Sequence, residues 1–127
     1  MTPRKPFSVL LFAGFSIVAT PAFAQLGPQT LTQKGGEAIY KGVCQDCHMP
    51  DGKGAVGAAA YPALAGNKKL EEAGYPLSVV INGLHSMPSF AKSFDDQQVA
   101  DIVNYIRTNF GNHYKGKVTS EQVKNAR

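Results

Sequence analysis

The chain has 127 residues, 43% of them hydrophobic, with 13 Lys and Arg against 9 Asp and Glu for a formal charge of +4. That length suits one small domain with a modest core. No basic block is dense enough for nucleic-acid binding, and neither an internal repeat nor a low-complexity tract interrupts the sequence.

The first 24 residues read as a secretory signal. Arg4 and Lys5 form a short basic region, residues 7–18 are almost wholly apolar, and Ala22-Phe23-Ala24 supplies the small-residue pattern before a cut. The apolar run falls short of the roughly 20 residues needed to cross a bilayer. Cleavage is therefore expected before Gln25, and no cysteine sits there to take a lipid. The mature chain of 103 residues keeps 11 basic and 9 acidic groups, a charge of +2, so the whole-chain pI of about 9.1 overstates its basicity. Such a product is expected in the periplasm, soluble and monomeric. A chain this small outside the cytoplasm commonly needs a disulfide, metal or prosthetic group as a staple.

Next in order is Cys44-Gln45-Asp46-Cys47-His48, which holds both cysteines of the chain. Four chemistries use such a pair. Zinc wants four ligands, commonly from two clusters, and there is no second Cys or His pair at finger spacing. A thioredoxin-like site needs a strand-helix-strand setting that is missing here. A plain disulfide suits an oxidising compartment but leaves His48 without a role. The fourth is attachment of c-type haem, for which C-x-x-C-H is the signature. Both thiols then add to the vinyl groups, and the adjacent imidazole reaches the iron. The expectation is one haem c per chain, bound covalently through Cys44 and Cys47, with His48 as the proximal ligand. Its apolar face would supply core that the chain cannot build alone.

The glycine- and alanine-rich run 52–60 and the segment Pro62-Ala63-Leu64-Ala65-Gly66 follow. A short helix is expected over 75–83, where Pro76 sits early enough that its missing N–H costs nothing. Then comes Gly83-Leu84-His85-Ser86-Met87-Pro88-Ser89-Phe90, too rich in turn formers for a helix interior and so an irregular loop. Met49 adjoins His48 and cannot reach the other face of a haem. His85, Met87 and His113 remain as second ligands. Met87 is preferred, because Met/His ligation is that of electron-transfer cytochromes and Pro88 stiffens the loop. His85 and His113 read as surface residues; without haem, Met87 would read as a core gap-filler.

A final helix starts after Asp95, which forms a capping box with Gln98, while Phe94 and Val99 are placed as a hydrophobic staple. Val99, Ile102, Val103 and Ile106 share one face, and Gly111 is the expected stop. Residues 113–127 are read as an extension beyond a helical core of about 32–112.

In this order the pieces resemble a class I cytochrome c, from about Thr32 onward. Gly36-Glu37-Ala38-Ile39-Tyr40 is similar to the family's first-helix pattern, and Pro62 to Gly66 resembles its P-x-L-x-G segment. The resemblance implies an all-α fold of a few short helices around one haem, with the first and last helices crossing at Gly36, Tyr40, Ile102 and Tyr105. It also implies that the Pro62 carbonyl accepts a hydrogen bond from His48 and that Leu64 packs on the haem. Asp51-Gly52-Lys53-Gly54, Tyr61 to Asn67, Tyr105-Ile106-Arg107, Phe110-Gly111-Asn112 and residues 118–127 further resemble cytochrome modules serving periplasmic alcohol and aldehyde dehydrogenases.

Iron with both axial positions filled has no open place for substrate. The implied function is therefore a one-electron carrier and not an enzyme, with a donor such as a periplasmic dehydrogenase or respiratory complex, and an oxidase or another cytochrome as acceptor. Thioether sulfur favours the ferrous state and raises the potential. Alternatives are an electron-transfer subunit of one dehydrogenase complex, a gas-binding sensor with a labile distal ligand, and an interaction module.

Overall fold

The computed structural model describes residues 31–57 and 60–127. The expected signal peptide and its cleavage site lie outside the described residues, as do Ala58 and Ala59. The described residues fold into five α-helices with no named strand; Ala55 bridges Tyr61 and Leu84 bridges Met87 as isolated pairs. None of these helices is long and apolar enough to cross a membrane.

The first helical stretch runs through three pieces: α1 (Gly36–Ile39), a π-helical turn (Tyr40–Cys44) and α2 (Gln45–His48). The π turn is marked by the Gln45 N–H reaching back to the Tyr40 carbonyl. A π turn takes one more residue than an α turn, which rotates everything after it by about 100° around the axis. The rotation therefore sets where Cys44, Cys47 and His48 face. Pro50 ends the stretch, since it has no N–H to extend it and disfavours the helical conformation at Met49.

A short 3-10 turn (Lys68–Leu70) is capped by the Asn67 side chain, which accepts from the Lys69 N–H at 3.0 Å. Helix α3 (Gly74–Asn82) begins one residue before the expected start. Pro76 occupies its third position, still within the first turn where N–H groups have no intrahelical partner. Leu77, Val80 and Ile81 are buried, and Gly83 closes the helix at φ 75°.

Helix α4 (Asp96–Thr108) starts at the expected capping box: Asp95 Oδ1 accepts from the Gln98 N–H, and Gln98 Oε1 accepts from the Asp95 N–H, both at 2.8 Å. Phe94, Val99, Ile102, Val103 and Ile106 are all buried. The stop comes earlier than Gly111. The chain leaves the helix at Asn109, and Phe110 takes a left-handed φ of 59° before Gly111 does at 77°. Packing of the Phe110 ring on Tyr40, with centroids 4.6 Å apart, accompanies this unusual conformation. Segment 113–127, read from sequence only as an extension, carries α5 (Ser120–Asn125), with its own capping box of Thr119 and Gln122. Val118 and Val123 join the same core as Ile39 and Val99.

Two polar side chains take the place of secondary structure in tying loops to α4. Asn104 donates to the Val118 carbonyl at 2.9 Å and accepts from the Val118 N–H at 2.8 Å. Arg107 is 2% exposed. It donates to the carbonyls of Leu70, Glu71 and Lys115 at 2.8–2.9 Å and also to that of Gly116. A buried guanidinium with so many acceptors avoids the full cost of a lost hydration shell.

Helices α1 and α4 cross as expected at Gly36. A Cβ there would lie 2.4 Å from both the Asp101 carbonyl oxygen and Tyr105 Cβ, neither of which can rotate away. Gly36→Ala would gain up to ~1 kcal/mol of helix propensity against ~1–3 kcal/mol of overpacking. The clash is expected to win. Urea denaturation of the variant should show a net loss of about 1–2 kcal/mol.

Candidate functional site

A cavity of about 320 Å³ opens between α2, the 60–70 segment, α3, the loop after it and α4. Leu70, Val79, Val80, Leu84, Ile102 and Ile106 give it a largely apolar wall. Its volume falls in the ~300–1,000 Å³ range of small-molecule and cofactor sites. Cys44, Cys47, His48, Pro62, Leu64 and Met87 all line it. Met49 is not among the lining residues; His113 is exposed away from the cavity, while His85 is exposed on its rim.

The cysteines are not bonded to each other. Burial pushes the Cys44 thiol up to about 12, with Cys47 and Asp46 nearby adding to the shift. It is therefore protonated at neutral pH, unlike the low-pKa thiolates of redox-active cysteines.

His48 is 8% exposed, and its Nδ1 lies 2.9 Å from the Pro62 carbonyl. A carbonyl only accepts, so Nδ1 carries the proton of this bond and Nε2 takes no part in it. This arrangement fixes tautomer and ring orientation together. Pro62 is in turn positioned by Gly54, whose N–H donates to the His48 carbonyl at 3.0 Å and whose φ is 67°. A Cβ on Gly54 would come 2.1 Å from the Tyr61 oxygen and 2.8 Å from the Pro62 carbonyl carbon. The bridge between Ala55 and Tyr61 closes the same loop at 2.8 and 3.1 Å.

Met49 has φ 64° and ψ 157°, a combination that non-glycine residues rarely adopt. Its carbonyl is held by the Tyr40 hydroxyl at 2.7 Å and the Gly52 N–H at 3.0 Å. Desolvation raises the Tyr40 phenol to about 12, so it remains a donor across the working pH range.

Met87 stands at the foot of a tight turn. Leu84 and Met87 exchange hydrogen bonds of 2.9 and 3.0 Å, with His85 and Ser86 at the tip. Gly83 lets this turn fold back on α3, since a Cβ there would lie 2.6 Å from the Met87 oxygen and 2.9 Å from the Ser89 nitrogen. Ser89 Oγ donates to the Ile81 carbonyl and fixes the far side of the Met-Pro pair.

Residues 31–106 match the family described as "Cytochrome C oxidase, cbb3-type, subunit III". The chain belongs to this cytochrome c family. Its helical, strandless described region accords with the class I cytochrome c fold. Among its curated relatives, the "Alcohol dehydrogenase (quinone), cytochrome c subunit" of Gluconacetobacter polyoxogenes is 36% identical over 101 residues, 69% of this chain and 21% of that protein. The "Gluconate 2-dehydrogenase cytochrome c subunit" of Pantoea cypripedii is 33% identical over 107 residues, 72% of this chain and 24% of that protein. The "4-cresol dehydrogenase [hydroxylating] cytochrome c subunit" of Pseudomonas putida is 33% identical over 102 residues, 80% of this chain and 74% of that protein. The chain thus spans about a quarter or less of the first two and most of the third.

A cytochrome c domain implies haem c, and this cavity fits it in donor chemistry. Two thiols, an imidazole with a free Nε2 and a thioether meet at one apolar space. The sequence motif marked these donors but not Gly54, Gly83 or the Tyr40 hydroxyl, which hold them in place. Gly54→Ala is expected to cost about 2–4 kcal/mol by combining overpacking with a left-handed Cβ. Gly57, with nothing within 4 Å of a Cβ, should accept alanine without loss. Guanidinium unfolding of the two variants side by side checks both expectations.

Proposed function

We propose that the chain is a periplasmic one-electron carrier that serves as the cytochrome subunit of, or dedicated partner to, a dehydrogenase. The single observation that carries this reading is the convergence of Cys44, Cys47, His48 and Met87 on one apolar cavity. In it Cys44 and Cys47 would hold haem c covalently, and His48 and Met87 would ligate its iron. The haem supplies a one-electron couple. The chain's own residues do the rest: the Pro62 carbonyl orients the imidazole, Leu64 and the apolar wall exclude water, and the Gly83–Ser89 turn presents the thioether. Burial of the site and soft sulfur both favour the ferrous state.

The relatives are cytochrome subunits of alcohol, gluconate and 4-cresol dehydrogenases, which favours a dehydrogenase as electron donor over a generic respiratory pool. The acceptor is another cytochrome or an oxidase.

The absorption spectrum tests the ligand set. Ferric protein should show the far-red sulfur-to-iron band, and Met87→Ala should lose it and bind carbon monoxide when reduced. Rapid carbon monoxide binding to wild type would instead favour the gas-binding reading. Electrostatic steering should be modest, because Lys53 is paired with Asp51 at 3.1 Å and the mature charge is small. Association with the donor, followed by stopped flow, should slow less than tenfold between low and moderate salt.

A further inference from the structure

The methionine loop has two anchors, and the second lies in a part of the chain to which the proposed function assigns no role. At the near end, Gly83 and Ser89 hold Met87 against α3. Beyond Ser89 the backbone makes one turn, in which Ser93 and Phe94 N–H groups both reach the Phe90 carbonyl at 3.0 Å and the Phe90 and Phe94 rings stack at 5.1 Å. Arg127, beyond α5, closes on this turn. Its guanidinium donates to the carbonyls of Ala91 and Phe94 and to Asp96 Oδ1 at the start of α4. The two side chains of the ion pair keep only 27% and 34% of their exposure. The pair is therefore screened less than a fully exposed one. Val123, fully buried, fixes α5 behind it.

We propose that Arg127 is a positioning residue for the iron site: it latches the 90–94 turn and so sets how readily Met87 leaves the iron. The proposal rests on the reading of Met87 as the axial ligand. A thioether is a neutral, weak ligand to ferric iron. Its retention then depends on what it costs the loop to open, and local opening costs vary widely across a fold. Three hydrogen bonds from one side chain, spanning the turn and the cap of α4, raise that cost where Ser89 cannot. The same latch keeps the protein a carrier instead of a binder of small ligands.

Ligand exchange provides the test. Ferric wild type, Arg127→Met, Arg127→Lys and Ile39→Val are mixed with imidazole, whose nitrogen replaces sulfur on the iron, while the far-red band is followed in time. Ile39→Val destabilises the core at α1 without touching the latch, and urea unfolding of each variant gives its global stability. The expected result is a band in all four proteins at rest and displacement at least tenfold faster in Arg127→Met. Arg127→Lys, which keeps the charge but loses the fork of donors, should be intermediate, and Ile39→Val should keep the wild-type rate. Displacement from Arg127→Met at the wild-type rate overturns the latch. So does an equal acceleration by Ile39→Val, which would reduce the effect to global stability. A wild type with no far-red band would remove the Met87 reading first and the latch with it, so the two failures are told apart.

Discussion

The approach of α1 to α4 at Gly36 is the contact on which the rest of the structure depends. With hydrogen in place of a methyl group, the α1 backbone comes close enough to α4 for Ile39 and Tyr40 to be almost wholly buried beside Val99, Ile102 and Val103. That contact fixes the start of the first helical stretch, and the π turn then rotates its far end. The cysteines and His48 are thus delivered to the cavity by a helix anchored elsewhere. Tyr40 links the two regions, since its ring packs on Tyr105 and Phe110 while its hydroxyl holds the strained Met49 carbonyl just after the motif.

A chain this small has too little apolar core to hold its loops by packing alone. Buried backbone carbonyls in loops must still find donors. Here Arg107, Asn104 and Asn112 supply them from α4 and its exit, and Gln98 does the same for the N-terminal segment by donating to the Leu31 and Gln33 carbonyls. Removing Arg107 alone would leave four carbonyl acceptors without it at once, each costing about 1–3 kcal/mol if left unsatisfied. The chain around Leu64, Leu70 and residues 115–118 is in this way tied to α4 and its exit.

His48 and Met87, the two proposed iron ligands, are held by different means. His48 is fixed by a helix, by Pro62 and by a glycine that lets their backbones touch. Met87 depends on a loop, and a loop opens more cheaply than a helix end buried against a core. Under the proposed function, the choice between carrying electrons and binding small ligands falls on the methionine side, among residues with no cofactor chemistry of their own.

The local motifs were legible in the sequence because their rules are short-ranged. The C-x-x-C-H spacing, the Asp95 and Gln98 capping box and the apolar face of α4 each involve residues within a few positions of one another. Arg107 left a weaker sign, a charge one turn beyond Val103 on that apolar face, and the Thr119-x-x-Gln122 box marked α5 in the same way. The π turn, the left-handed Phe110, the close approaches at Gly54 and Gly83 and the reach of Arg127 left no local sign. Each of these is decided by a partner far along the chain, and a conformation that is costly alone is chosen only when the assembled core holds it there. The sequence by itself thus marked which groups converge on the apolar cavity; the tertiary structure decided what holds them in place.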